Sequence, residues 1–315
     1  MTHAIGVDIG GTKIAAGLVS EAGELLKRES EPTPDDATKI PAIVADLSER
    51  LAGDDKIVGI GIGAAGFTST DRTTVRFAPN ISWVDEPLAE HVSALTDLPV
   101  IVENDANAAA WGEFSFGAGE DTDDLLLVTI GTGVGGGIVH HGQLYRGGFG
   151  VAAEIGHMRI VPDGIACGCG EHGCFEQYAS GSALVRVARE RVANGDRGTE
   201  ALAALADGDP TRITGPALTD LAHGGDALSI ELLAELGRWI GEGLAILASI
   251  LDPRVIAIGG GVAAAGDLLL GPAVDAFETH LPARSHRPQA EVRLAALGNA
   301  AGIIGAADLA RTEPV

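Results

Sequence analysis

Apolar residues in this 315-residue chain fall into short continuous runs separated by longer stretches of helical period. The runs Ala4–Ile9 and Ile14–Val19 flank Gly10, Gly11, Thr12 and Lys13, which predicts two buried strands joined by a glycine turn rather than a strand passing into a helix. Residues 37–51 are helical in period, 56–63 read as a strand ending in a loop at 64–67, and 99–102 as a strand running into Glu103, Asn104 and Asp105, with a helix over 108–114. Polar side chains at the carboxyl end of a strand are well placed for ligands in open α/β sheets. A new strand follows at 125–130, then a glycine turn at 131–137 and an apolar run from Ile138, so the strand, Gly-Thr turn, strand pattern occurs twice. Helical periods at 182–193 and 228–251, a strand at 254–258 closed by glycines 259–261, and a small apolar segment at 300–310 complete the pattern.

The length suits two domains, and the glycine and acid stretch 116–124 is the boundary expected between residues 1–118 and 119–299. Lys and Arg number 21 against 44 Asp and Glu, giving a net charge of -23, which repels phosphate backbones and anionic lipid and argues against nucleic-acid or membrane partners. An anionic ligand must then be met by local backbone dipoles, a cation or a metal. Lysine is confined to Lys13, Lys27, Lys39 and Lys56, while acids gather at 120–124. Adaptation to a salty cytoplasm accounts for this, and so does a GC-rich genome. The chain opens directly on a strand pattern without a basic, apolar leader, and it has no apolar run of about 20 residues, so a cytoplasmic protein is expected.

Four groups of residues carry chemistry. Gly10, Gly11, Thr12 and Lys13 offer backbone donors, a hydroxyl and a cation to a phosphate, and Asp8 offers a carboxylate to a Mg²⁺ shell; Gly131, Thr132 and Gly133 repeat the donor turn. Asp105 beside Asn104 suits general-base work, although Asp and Asn before an alanine-rich run are also preferred helix caps. Cys167, Cys169 and Cys174 lie within eight residues and, with one imidazole, make a closed structural Zn²⁺ set. His157 and His172 compete as the fourth ligand; His157 is preferred, because His172 lies inside the cysteine loop. Glu154 and Glu176 bracket the cluster and would accept hydrogen bonds from sugar hydroxyls if the metal turns them to one site; otherwise they are two surface acids.

Asp8 to Lys13, Glu103 to Ala109, Ile130 to Gly136, Glu154 to His157, and Cys167 to Glu176 together closely resemble, in order, the motifs of the ROK family of sugar kinases and repressors. The resemblance implies an α/β chain of actin-like ATPase (ribonuclease H-like) fold, with two α/β domains, an active-site cleft between them, and a C-terminal helix at 300–315 returning to the first domain. It implies ATP-dependent phosphorylation of the 6-hydroxyl of glucose with Mg²⁺, Asp105 as base, and sugar contacts from Gly66, Asn80, Asn104, Asp105, Glu154, His157 and Glu176. The ATP contacts would be Asp8, Gly10, Gly11, Thr12, Lys13, Gly131, Thr132, Gly133, Gly260 and Gly261, and the Zn²⁺ ligands His157, Cys167, Cys169 and Cys174. A homodimer or homotetramer is implied as well. Fructose, mannose, N-acetylglucosamine and N-acetylmannosamine are alternative acceptors, polyphosphate is an alternative donor, and a non-catalytic sugar sensor is the rival of another class. Two departures stand out: Phe67, Thr68 and Ser69 follow Gly66 where many relatives carry a Val-Asp pair, and no DNA-binding helices precede the first strand.

Overall fold

The computed structural model describes residues 2–78 and 80–313. In chain order the elements are β1 (His3–Ile9), β2 (Lys13–Val19), β3 (Leu25–Pro32), α1 (Ile40–Ala52), β4 (Ile57–Ala64), β5 (Phe67–Thr68), β6 (Val75–Ala78), β7 (Trp83–Glu86), α2 (Leu88–Thr96), β8 (Val100–Asn104) and α3 (Asp105–Phe116). They continue with β9 (Leu125–Ile130), β10 (Val134–His140), β11 (Gln143–Leu144), α4 (Glu176–Ala179), α5 (Gly181–Ala193), α6 (Glu200–Leu205), α7 (Gly215–His223), α8 (Ala227–Leu251), β12 (Val255–Gly259), α9 (Asp267–His280), β13 (Glu291–Leu294) and α10 (Ala301–Thr312).

One sheet has the order β3-β2-β1-β4-β8 and another β11-β10-β9-β12-β13, while β5, β6 and β7 form a small third sheet. Numbered within itself, each large sheet reads 3-2-1-4-5, so the repeated glycine turn marks a repeat of the whole sheet. The chain divides into two compact units, one of residues up to Leu127 with Gly136–Ala153 and the segment from Ala296, the other of Val128–Gly135 and Glu154–Ala295. Among the described residues no helix is long and apolar enough to cross a membrane.

In the first unit, side-chain alternation sorts the sheet into a bulky and a smooth face. Ile5, Val7 and Ile9 of β1 and Ile60 and Ile62 of β4 pack with Ile40, Val44, Leu47 and Leu51, the buried stripe of α1 at helical spacing. The opposite face of β4 is Gly59, Gly61 and Gly63, and α10 lies against it so closely that a Cβ on Gly61 would overlap the carbonyl oxygen of Ala306. The same glycine row brings Gly63 within van der Waals reach of Asp105 at the start of α3, while Asp8 pairs with Gly63 in the sheet. A sequence alternation of Ile and Gly thus sets two aspartates side by side.

In the second unit, α8 is capped by Asp226, which accepts from the Ser229 N–H at 2.9 Å, and it buries Leu232, Leu236, Ile240 and Leu244 along one stripe. Every residue of β12 is buried, as a central strand of an α/β sheet requires.

Two local expectations need correction. The glycine run after Gly133 is strand rather than turn: β10 begins at Val134, because Gly137 faces α3 and a Cβ there would overlap Ala110. The helix expected from Ala108 begins at Asp105, since the Asn104 side chain accepts from the Asn107 N–H at 3.0 Å and caps it. The apolar pattern also gave no sign of α9, which carries Pro272 inside it, or of the small sheet β5-β6-β7.

Candidate functional site

In the first unit, the predicted residues converge at the carboxyl ends of β1, β4 and β8. Gly10 N–H donates to the Lys13 carbonyl at 3.0 Å, and Thr33 Oγ1 donates to the Gly10 carbonyl at 2.6 Å, so the first glycine turn is held from both sides. Gly11, Thr12 and Lys13 remain exposed at its tip, as a phosphate donor turn requires. Asn80 packs over this turn: a Cβ on Gly11 would meet its Cβ at 3.1 Å. Asn104 Nδ2 donates to the Gly66 carbonyl at 3.1 Å, which ties the loop after β4 to the end of β8.

Asp105 Oδ1 accepts from the Ala106 N–H at 2.9 Å, so the backbone fixes the orientation of the carboxylate. Cap and carboxylate are therefore divided between neighbours: Asn104 caps α3 and Asp105 stands in its first turn. Burial raises the Asp105 carboxyl above the usual range, against the opposing pull of backbone donors. Burial also pushes Asp8 up to about 6, helped by the charge of Asp105 and opposed by Lys13 and Arg28. Carboxyls raised by burial in this way are common at functional sites.

In the second unit, His157, Cys167, Cys169 and Cys174 offer ligand atoms that all lie within 4.8 Å of one another. Cys169 Sγ and Cys174 Sγ are 3.6 Å apart, and Cys167 Sγ lies 3.7 Å from His157 Nδ1. Tetrahedral Zn²⁺ with thiolates at about 2.3 Å sets ligands about 3.8 Å apart, so both edges fit the metal. Burial pushes the Cys174 thiol up to about 12 and raises Cys167 too, whereas the Glu171 backbone N–H lowers Cys169. His172 is exposed and lies outside the cluster.

The cluster is joined to the rest of the unit through Glu176. Cys167 Sγ lies 3.4 Å from Glu176 Oε1, and a Cβ on Gly133 would meet Glu176 Oε2 at 2.5 Å, so this carboxylate sits between the cysteines and the second glycine turn. Glu154 opens the short helical turn that carries His157, whose N–H donates to the Glu154 carbonyl at 3.1 Å; both residues are exposed.

The second turn closes with the Gly131 N–H donating to the Gly133 carbonyl at 3.0 Å, and the Gly131 carbonyl accepts from the Gly181 N–H at 2.8 Å. Gly260 has φ +85 and approaches Ile130 so closely that any Cβ would overlap the strand, a position only glycine fills. Gly131, Thr132 and Gly261 line a cavity of about 860 Å³, within the range of roughly 300–1,000 Å³ common for small-molecule sites. Its other walls, among them Ser182, Arg186, Pro216 and Asp220, were not singled out in the sequence. The available signal was the pair of helix starts at Ser180 and Thr214, whose side chains accept from the Ala183 and Ala217 N–H groups.

The model for the ROK family matches residues 4–313. A glucokinase of Streptomyces coelicolor is 51% identical over 310 residues, spanning 98% of each chain, and an N-acetylmannosamine kinase of Yersinia pseudotuberculosis is 33% identical over 99% of this chain and 100% of its own. The crystal structure of a ROK family glucokinase from Streptomyces griseus in complex with glucose and AMPPNP superposes with a TM-score of 0.90 at 49% identity, covering 98% of this chain and 99% of that one.

Proposed function

Because the chain belongs to the ROK family, we propose that it is a glucokinase, which transfers the γ-phosphoryl group of ATP to the 6-hydroxyl of glucose with Asp105 as the base. The observation that carries this reading is the half-buried pair of Asp105 and Asp8, brought together through Gly63 beside the Gly10–Lys13 turn, which sets a proton acceptor next to a phosphate and cation site. Asp105, its carboxylate oriented by the Ala106 N–H, accepts the hydroxyl proton while the sugar oxygen attacks phosphorus and ADP departs with the bridging electron pair. Lys13 and the turn N–H groups draw negative charge towards the leaving group, an electrostatic task the -23 chain performs only locally.

Mg²⁺, when bound with the nucleotide, neutralises phosphate charge, and Asp8 is the carboxylate that would face its shell. Asn104, Glu154, His157 and Glu176 bind sugar hydroxyls in this reading. His157, Cys167, Cys169 and Cys174 would hold Zn²⁺, which would cross-link the loop that bears Glu176, and ligation through Nδ1 would leave His157 Nε2 for a hydroxyl. The walls around Gly131, Thr132, Gly260 and Gly261 receive the nucleoside.

The test is a coupled assay with ATP and a panel of glucose, fructose, mannose, N-acetylglucosamine and N-acetylmannosamine. Glucose is expected to give the highest kcat/KM, with glucose 6-phosphate as product; preference for another sugar would reassign the acceptor, and no turnover with any would remove the kinase reading.

A further inference from the structure

Glu103 precedes the proposed base by two residues, is 1% exposed, and takes no part in the reaction as described. Its carboxylate is divided between two tasks. Oε1 accepts from the Asn104 N–H at 3.0 Å and from Asn107 Nδ2 at 3.1 Å, bracketing Asp105 in sequence. Oε2 pairs with Arg146 Nε at 2.6 Å. Arg146 reaches on to Glu313 Oε2 at 2.9 Å, and Glu313 is held in turn by Arg72, through Oε2 at 3.2 Å and the backbone carbonyl at 2.7 Å. Charges alternate along this line, from Glu103 through Arg146 and Glu313 to Arg72.

From this line we propose that Arg146 is a positioning residue for Asp105, acting through Glu103, and that Glu313, just beyond α10, fixes the orientation of Arg146. The inference rests on Asp105 being the base. A buried carboxylate keeps its charge only with a partner. Without Arg146, the Oε2 side of Glu103 has no partner and the carboxylate is free to turn, so its grip on the Asn104 N–H and the Asn107 amide slackens. Those two residues frame the first turn of α3, so the carboxylate of Asp105 loses its aim while the phosphate turn is untouched. The Arg146 backbone carbonyl accepts from the Ala152 N–H at 3.2 Å, a bond that substitution of the side chain keeps.

The experiment compares Arg146→Met, Glu103→Gln/Arg146→Met and Glu313→Gln by steady-state kinetics and calorimetry, with Asp105→Asn in the same series. Arg146→Met is expected to lower kcat about tenfold or more with KM for MgATP within about twofold of the parent. Removing both charges leaves a neutral acceptor for the same two donors, so the double variant should recover to within about threefold of the parent, a rescue that lost packing alone would not give. Glu313→Gln should lower kcat about two- to threefold at an unchanged melting midpoint. If Arg146→Met does not fold, the double variant and Glu313→Gln still decide. The inference falls if Arg146→Met, or Glu313→Gln in its place, keeps the parent kcat, or if the double variant is no faster than Arg146→Met. An inactive Asp105→Asn beside an unimpaired Arg146→Met would sink the positioning role alone, whereas an active Asp105→Asn would sink the base and the positioning role together.

Discussion

The charge of Asp105 helps to hold a proton on Asp8, whose carboxyl is pushed up to about 6 by burial first and by Asp105 second. Because the raised value means that Asp8 is neutral below about pH 6 and ionised above it, affinity for MgATP should fall as pH is lowered through 6. In Asp105→Asn, one of the two raising influences is gone, and the midpoint should move to lower pH. Titration calorimetry with MgAMPPNP between pH 5 and 8 reads both. Binding that is flat across this range would show that Asp8 does not face the metal-nucleotide.

The metal set yields a prediction in which composition and activity are read separately. Cys169 is exposed while Cys167 and Cys174 are buried, so Cys169→Ala removes a ligand without opening a core cavity. The variant should lose bound zinc by elemental analysis and lose activity mainly through a raised KM for glucose, since Glu176 and His157 are the groups it loosens. Full activity in a zinc-free preparation would disconnect the metal from the sugar site.

Gly61→Ala tests the packing that sets Asp8 beside Asp105. The added Cβ meets the Ala306 backbone, which cannot rotate away, so α10 must shift at a cost of about 1–3 kcal/mol or more. For units of this size that lowers the melting midpoint by several degrees, at about 2–4 °C per kcal/mol. An unchanged midpoint would mean that the helix is not seated on the glycine face.

Salt should stabilise this protein. With a net charge of -23, self-repulsion is screened as the Debye length falls from about 10 Å at 0.1 M to about 3 Å at 1 M. Surface pairs such as Arg76 with Asp85 weaken at the same time, but exposed pairs contribute only about 0–1 kcal/mol each. The melting midpoint is therefore expected to be higher in molar KCl than in dilute buffer, and an equal or lower one would leave the acidic surface without a role in salt adaptation.

Much of this architecture is legible in sequence because it rests on local pattern. The hairpin of β1 and β2 follows from two apolar runs around a glycine turn, and α1 from Ile40, Val44, Leu47 and Leu51 at helical spacing. The elements that escape are set by tertiary contact. Gly137 reads as turn until α3 is pressed against it, and Pro272 reads as a helix breaker although α9 continues through it. Three cysteines within eight residues read as a metal set by spacing alone, and His157 rather than His172 lies within ligand distance of them. Nothing in the sequence joins Glu103 to Arg146 and Glu313, because their relation is created only when distant segments fold together.

The central claim is that Asp105 removes the proton from the attacking hydroxyl of glucose, and the most direct measurement is kcat for Asp105→Asn with glucose and MgATP, read alongside glucose binding by calorimetry. Asparagine keeps the shape and the hydrogen bond to the Ala106 N–H but cannot take a proton, so kcat should fall by about 10²-fold or more while glucose still binds. Turnover within a few-fold of the parent would contradict the account.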